Sequence, residues 1–263
     1  MKKVLMTALA AAFAVSAVSA QSLKFQTFAD SVGIKQKNVP TYSVVEVAFP
    51  VDGPAALVKS LKTTLSERYQ IPVAEIKDGK TFANKLANKN VANMKRMFVE
   101  DFDQDDNIPE LYTNNQVSKS YENDKLVTLM FSGDVYYGGA HNSVYSTGVT
   151  FRKSDGKAFG ADIFNEDAWE QIQDKVAASL REYFEVDSND EMAEILFEDG
   201  IICDGDNFFV PTPDNPPFVD NGELVMIYQS YEIAPFAAGM PEVRIPLKEL
   251  MPYLGAEFAA LVK

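Results

Sequence analysis

Three β-type segments follow one another with only short connections between them, and this succession constrains the fold more than any other feature of the chain. Residues 116–121, 126–137 and 143–151 carry the β-branched and aromatic side chains of strands. Asn123-Asp124 offers a turn between the first two. Gly138-Gly139-Ala140-His141-Asn142 connects the second to the third, because paired glycines reach positive φ without steric conflict. The three segments predict an antiparallel meander. Helices and hairpins elsewhere show no repeating βαβ rhythm, so the chain reads as an α+β fold of antiparallel sheets and hairpins packed with helices, not a doubly wound one.

Ahead of the meander, the polar segment 21–38 reads as a mobile lead-in. Tyr42-Ser43-Val44-Val45-Glu46-Val47-Ala48-Phe49 then forms a strand closed by Pro50. Asp52-Gly53-Pro54 provides a cap and a first-turn proline for a helix whose Leu57, Val58, Leu61, Leu65 and Tyr69 make an apolar stripe at helical spacing. A second helix from about Lys80 carries Phe82, Leu86, Met94, Met97 and Phe98 on one side as core. Beyond the meander, Asp155-Gly156 marks a tight turn. Asn165 is the expected cap of the best-defined helix, with Glu166 and Asp167 in its first turn and Trp169, Ile172, Val176, Leu180 and Tyr183 along its apolar side. A short acidic helix (190–197), a Pro-rich loop (211–217), and a hairpin turning at Asn221-Gly222 into residues 223–233 follow. A strand at Val243-Arg244-Ile245 and a helix over 246–261 complete the pattern.

The first residues have the layout of a secretory signal peptide: Lys2 and Lys3, an uncharged Ala/Val-rich run over 4–18, and Ser19-Ala20 before Gln21. Cleavage is expected after Ala20, leaving a periplasmic or secreted protein. The run is too short and Ala-rich to span a membrane, and no later stretch approaches the roughly 20 apolar residues a spanning helix needs. Cys203 is the only cysteine, so the chain has neither a lipid-anchor site near the cleavage point nor an internal disulfide. Its neighbours Ile201, Ile202 and Asp204 predict a buried or half-buried thiol.

Net charge is −14, or −16 without Lys2 and Lys3, which makes nucleic acid a poor partner. Residues 21–153 hold 16 basic against 15 acidic side chains, whereas residues 154–263 hold 6 against 23. This asymmetry suggests two modules with a boundary near 153. The acidic one would attract cationic partners or divalent ions, although solubility alone also accounts for such a surface.

With one histidine and one cysteine, a zinc site of the usual His/Cys type is not expected, and no cofactor or metal is implied. Nucleophile-elbow, phosphate-loop and His-Glu-x-x-His patterns are missing from the sequence. Any acid–base histidine must be His141. Ser143 lies two residues on and permits a nucleophile–base pair on paper, while the simpler reading has His141 fixing a hairpin connection by hydrogen bonds. Asp101, Asp103 and Asp105 occupy positions one, three and five of an EF-hand-like loop, but Asp106 at position six and Tyr112 at position twelve break the pattern. A solvated acidic turn ending the second helix is the favoured reading and weak calcium binding the alternative, and Asp204-Gly205-Asp206-Asn207 is a weaker case still. Among 38 acidic residues some pair will fall at a glycosidase separation by chance, so that signal carries no information. Tyr136 and Tyr137 are more informative, since adjacent strand residues face opposite ways and one of them should be exposed.

Tyr136-Tyr137-Gly138-Gly139-Ala140-His141 resembles the signature of the extracytoplasmic domain of the lysozyme-binding anti-sigma factor RsiV. Tyr231-Glu232-Ile233-Ala234-Pro235-Phe236-Ala237-Ala238-Gly239, followed by Val243-Arg244-Ile245-Pro246, is similar to the C-terminal signature of that family, and Asp162-Ile163-Phe164 fits its lead-in to the Trp169 helix. The resemblance implies a PdaC-type, deacetylase-associated module over 21–153 and an RsiV-type module over 154–263. The chain departs from the RsiV pattern in beginning with a cleavable leader and not a sigma-binding segment and membrane span. It also lacks the deacetylase domain of PdaC-type enzymes. Neither anti-sigma activity nor deacetylation is therefore carried over.

What the resemblance implies is recognition, without chemistry, of a basic lysozyme-like protein or a peptidoglycan fragment. The residues implied are Tyr137, Gly138, Gly139, His141, Tyr231, Glu232, Pro235, Phe236 and Gly239. The competing reading makes these an internal corner that defines the fold and touches no partner. From another class, an envelope glycan or peptide hydrolase would use His141 or a carboxylate pair.

Overall fold

The computed structural model describes residues 22–36, 39–99, 110–198, 201–204 and 207–263. The leader expected over 1–20, the acidic turn expected over 101–107, and Gly205-Asp206 lie outside the described residues. The fold is α+β, as the sequence predicts.

Two long strands, β1 (Lys24–Gln36) and β2 (Val39–Asp52), pair antiparallel along their whole length. The expected mobile lead-in is therefore largely strand. β1 is an edge strand: Phe25, Phe28 and Val32 pack partly against the core, and Gln26, Thr27 and Ser31 between them are exposed, so its average composition hid its alternation. Helices α1 (Ala55–Tyr69) and α2 (Gly79–Met94) cross to β3 (Leu111–Glu122), which runs parallel to β2. The crossover is the one place where the six-stranded sheet departs from antiparallel pairing. β4 (Leu126–Tyr136), β5 (Ser143–Arg152) and the short β6 (Ala158–Phe159) add in sequence as the expected meander. β6 completes this sheet from beyond residue 153.

The apolar stripe of α1 is buried as its spacing predicts: Leu57, Leu61 and Leu65 lose all exposure against Val45, Val47, Phe49, Leu129 and Phe131. Asp78 caps α2 by accepting the Thr81 N–H at 2.7 Å, and Phe82, Leu86 and Met94 face inward while Met97 is exposed.

Past β6 the chain forms α3 (Ala168–Gln171), α4 (Gln173–Phe184), α5 (Asn189–Ala193), and the pair β7 (Ile202–Asp204) and β8 (Asn207–Phe209). The Trp169 helix is interrupted at Ile172. Asn165 does not cap it, because Asp167 occupies the cap position at φ +62° and the Asn165 amide instead reaches the Pro252 carbonyl. Cys203 is half-buried, as expected, with its thiol donating to the Asn189 carbonyl.

A second, antiparallel sheet holds β9 (Phe218–Asp220), β10 (Glu223–Ile227) and β11 (Glu242–Pro246), with β10 in the centre. β10 ends well before residue 233, which frees residues 228–241 as a loop. The expected C-terminal helix is split into α6 (Leu247–Leu250) and α7 (Ala256–Val262) around Pro252. Among the described residues no helix is long and apolar enough to cross a membrane.

The two sheets pack face to face. Leu224 and Met226 join Val176, Leu180 and Tyr228 in one core, while Phe218, Val225 and Ile227 turn the other way and meet Met130 of β4. At this junction the Val219 N–H donates to Thr150 Oγ1 (2.8 Å), the two threonine hydroxyls lie 2.9 Å apart, and Thr128 Oγ1 donates to the Val219 carbonyl (2.7 Å). The buried polar groups are thus closed into one loop. The order across the molecule is α1/α2, six-stranded sheet, three-stranded sheet, α4.

Candidate functional site

Face-to-face packing of the sheets brings together two segments 90 residues apart in the chain. The β4–β5 connection carries His141, and the 228–241 loop carries Tyr231 and Phe236. The imidazole stacks on Phe236 with ring centroids 3.7 Å apart and an 18° tilt, and its Nε2 lies 3.0 Å from the Tyr231 hydroxyl. Nδ1 lies 2.8 Å from the Asn142 carbonyl, which can only accept, so Nδ1 carries a proton and a neutral ring accepts from Tyr231 at Nε2. Both ring nitrogens are therefore engaged, neither of them with Ser143.

The loop is held by fixed polar contacts. Gln229 uses its side-chain amide as a strand would: Oε1 accepts the Ser146 N–H at 3.3 Å and Nε2 donates to the Ser146 carbonyl at 2.8 Å, covering the edge of β5 that β6 does not reach. Glu232 accepts the Asp214 N–H at 2.7 Å and the Gln229 N–H at 2.6 Å, which ties the loop to the Pro-rich segment. Burial raises its carboxyl above the ordinary value, and those two N–H groups offset part of the rise. Tyr228, fully buried, donates to the Pro211 carbonyl at 2.7 Å. Tyr231 itself sits at φ +69°, a conformation an L-residue holds only when its surroundings fix it. Pro235 leads into a single 3₁₀ turn, Phe236–Ala238, that ends at Gly239 with φ +76°, and the Tyr183 hydroxyl donates to the Ala238 carbonyl.

Of the nine residues implied by the resemblance, Tyr137, Gly138, Gly139, His141, Tyr231 and Pro235 are exposed, with Tyr231 at 56%. Phe236, Glu232 and Gly239 are half-buried beneath them. The cluster thus presents a surface of aromatic and glycine residues on an internally bonded base. Sequence reasoning missed Gln229, Tyr228 and Asn142. A glutamine imitating a peptide unit leaves no pattern in sequence, since its partner Ser146 is 83 residues away.

A continuous polar path leads from the cluster onto the open face of the six-stranded sheet. Asn142 Nδ2 lies 3.4 Å from Asp134 Oδ2, and Asn114 Nδ2 donates to Asp134 Oδ1 at 2.9 Å. A concavity of about 320 Å³ is bounded by Phe164, Trp169, Met226, Pro213, Pro216 and Pro217. Trp169, expected on the core stripe of its helix, packs partly against the core and lines this concavity, with the indole N–H on the Val210 carbonyl.

Residues 161–248 match the family model DUF3298, described as a protein of unknown function. Two solved structures share the architecture. A DUF3298 family member from Bacteroides fragilis is 17% identical with a TM-score of 0.71, covering 93% of this chain and 98% of its own. A DUF3298 family protein from Pseudomonas aeruginosa PAO1 is 16% identical with a TM-score of 0.60, covering 90% and 96%. At these identities the likeness is one of fold. No curated protein matches the chain.

The matched span includes the 228–241 loop but not the β4–β5 connection. His141 therefore belongs to the part of the site outside the matched span.

Proposed function

We propose that the chain is an exported, non-enzymatic envelope module that recognises a basic lysozyme-like protein or a peptidoglycan fragment through the surface of residues 137–141 and 231–239. The observation that carries this reading is the His141–Phe236–Tyr231 cluster: exposed His141 and Tyr231 from two distant segments, bonded to each other and packed on a half-buried Phe236. Preorganised aromatic anchors favour association, since little side-chain freedom remains to be lost. The leader-like residues 1–20 support export, and the acidity of residues 154–263 supports encounter with a cationic partner. A base–nucleophile reading finds less support, because both imidazole nitrogens are bonded and neither faces Ser143.

The test is titration calorimetry against a basic lysozyme at two salt concentrations, with an equally basic unrelated protein as control. Binding that persists in high salt, fails with the control and weakens in Tyr231→Ala is the expected result. Binding shared with the control and abolished by salt would refute specific recognition, and turnover of a glycan or peptide that disappears in His141→Ala would replace it with the hydrolase.

A further inference from the structure

We infer that the open face of the six-stranded sheet beside the His141 cluster is a docking surface for arginine- or lysine-bearing segments of a cationic polypeptide, built from a ladder of tyrosines and a rim of carboxylates. The register places Tyr42, Tyr112 and Tyr136 side by side on β2, β3 and β4. Their rings stack across the strands, with centroids 5.6 and 5.9 Å apart. Two residues further along each strand lie Val44, Asn114 and Asp134, then Glu46, Gln116 and Ser132, around a depression of about 250 Å³. The second sheet covers Met130 and Gly148 but stops short of this end, so the face stays open.

Its charge singles out the occupant. The side-chain hydrogen bonds that Glu46, Glu110 and Asp134 accept come from neutral groups: Gln116 Nε2, the Tyr42 hydroxyl, and the amides of Asn114 and Asn142. Among the described residues none of the three has a salt bridge, although the same half of the chain is rich in lysine. Three carboxylates around a tyrosine stack suit a guanidinium or ammonium, which gains charge-assisted hydrogen bonds from the rim and a cation–π contact from the rings. Tyr112 and Asn142 both meet Asp134, so the ladder and the His141 cluster form one continuous surface. The inference deepens the recognition reading, on which it rests for the identity of the partner: it assigns the protein arm of that reading a place for basic side chains.

The test does not need that partner. Amide-resolved NMR titration of the purified protein with tetra-arginine amide should shift Glu46, Tyr112, Asn114 and Asp134 together. Glu46→Gln combined with Glu110→Gln should weaken the interaction about tenfold, the scale expected when two partly exposed charges are neutralised at once, while leaving the His141 resonances in place. Shifts spread over the acidic 154–263 half and unchanged in the variant would overturn the inference, as would no shift at all. Shifts at the ladder from N-acetylglucosamine tetramer and not from the peptide would make this face a glycan surface instead. A run with a basic lysozyme separates the two ideas. If the peptide maps to the ladder and lysozyme does not bind, the lysozyme arm of the recognition reading falls and the docking surface stands. If lysozyme binds with full affinity to the carboxylate variant, the inference falls and the recognition reading stands.

Discussion

Gly148 on β5 faces Phe218 on β9 at the junction of the two sheets. A Cβ added there would lie 2.3, 2.4 and 2.8 Å from three atoms of the Phe218 ring. Ordinary carbon contacts are about 3.5–4.0 Å, so the ring would have to retreat by more than about 1 Å within a packed interior. Gly148→Ala should therefore destabilise by about 1–3 kcal/mol, the usual range for overpacking. Phe218→Ala removes a side chain only 2% exposed and should cost about 3–5 kcal/mol. The informative experiment is the double variant, because the added methyl then falls into the space the ring has left and recovers up to about 0.8 kcal/mol. The pair should cost no more than Phe218→Ala alone, which corresponds to a coupling energy of about 1–4 kcal/mol in favour of the pair. Urea unfolding of the four proteins, followed by far-UV circular dichroism at constant m-value, measures this. Additivity within about 0.5 kcal/mol would refute the close approach of β5 and β9, and with it the geometry that brings His141 to Tyr231.

The other expectations concern the same junction, the loop and the surface charge. Thr150→Val leaves the buried Val219 N–H without an acceptor and should lower stability by about 1–3 kcal/mol; an unchanged thermal midpoint would mean the hydroxyl loop contributes nothing. Gln229→Ala should cost about 1–2 kcal/mol and speed hydrogen exchange at the Ser146 amide, with Gln229→Glu intermediate because a carboxylate can accept but not donate. Exchange at Ser146 that does not change would show that the amide does not cover β5. Asp155 is pulled from its ordinary 3.8 to about 2, mainly by the Arg152 guanidinium and then by the Lys157 N–H, and Glu257 is lowered by Lys157 and Arg152. Folded values below the unfolded ones mean that this stabilisation is present above pH about 4 and is lost as pH falls toward 2. Arg152→Gln should flatten the urea-midpoint profile in that window, and an equally steep acid limb in the variant would place the acid sensitivity elsewhere.

Much of the fold is legible in the sequence because its strongest signals are local. The Leu57, Leu61, Leu65 stripe needs only helical periodicity and some apolar surface to lie on, and the turn at Asn221-Gly222 follows from φ of +46° and +80° at those residues. β1 is illegible because an edge strand wets one face, so its Phe and Val residues are diluted by polar ones. The parallel pairing of β2 with β3 is illegible for a different reason: Thr41 meets Leu111 across 70 residues, and no local pattern specifies a partner at that distance. At the candidate site, the glycines and aromatics stand out, and their resemblance joins the two segments without any geometry. Their supports, Gln229 and Asn142, are invisible because a single amide side chain has no period. The tyrosine ladder is half visible: Tyr136 stands out beside the paired glycines, while Tyr42 looks like an ordinary strand residue and Tyr112 like the end of an acidic loop until the register aligns them.

In the six-stranded sheet, spatial order repeats chain order from β1 to β6. No strand is wedged between two earlier ones, so a polypeptide delivered N-terminus first can lay each new strand on an edge already formed. The only wait is at the two-helix crossover, where β2 holds an open edge until β3 arrives. Reversal has the same logic: tension applied from the C-terminal end of this sheet should detach β6, then β5, then β4, one strand at a time. The interlock with β9 becomes the clamp that must release before that peeling can begin.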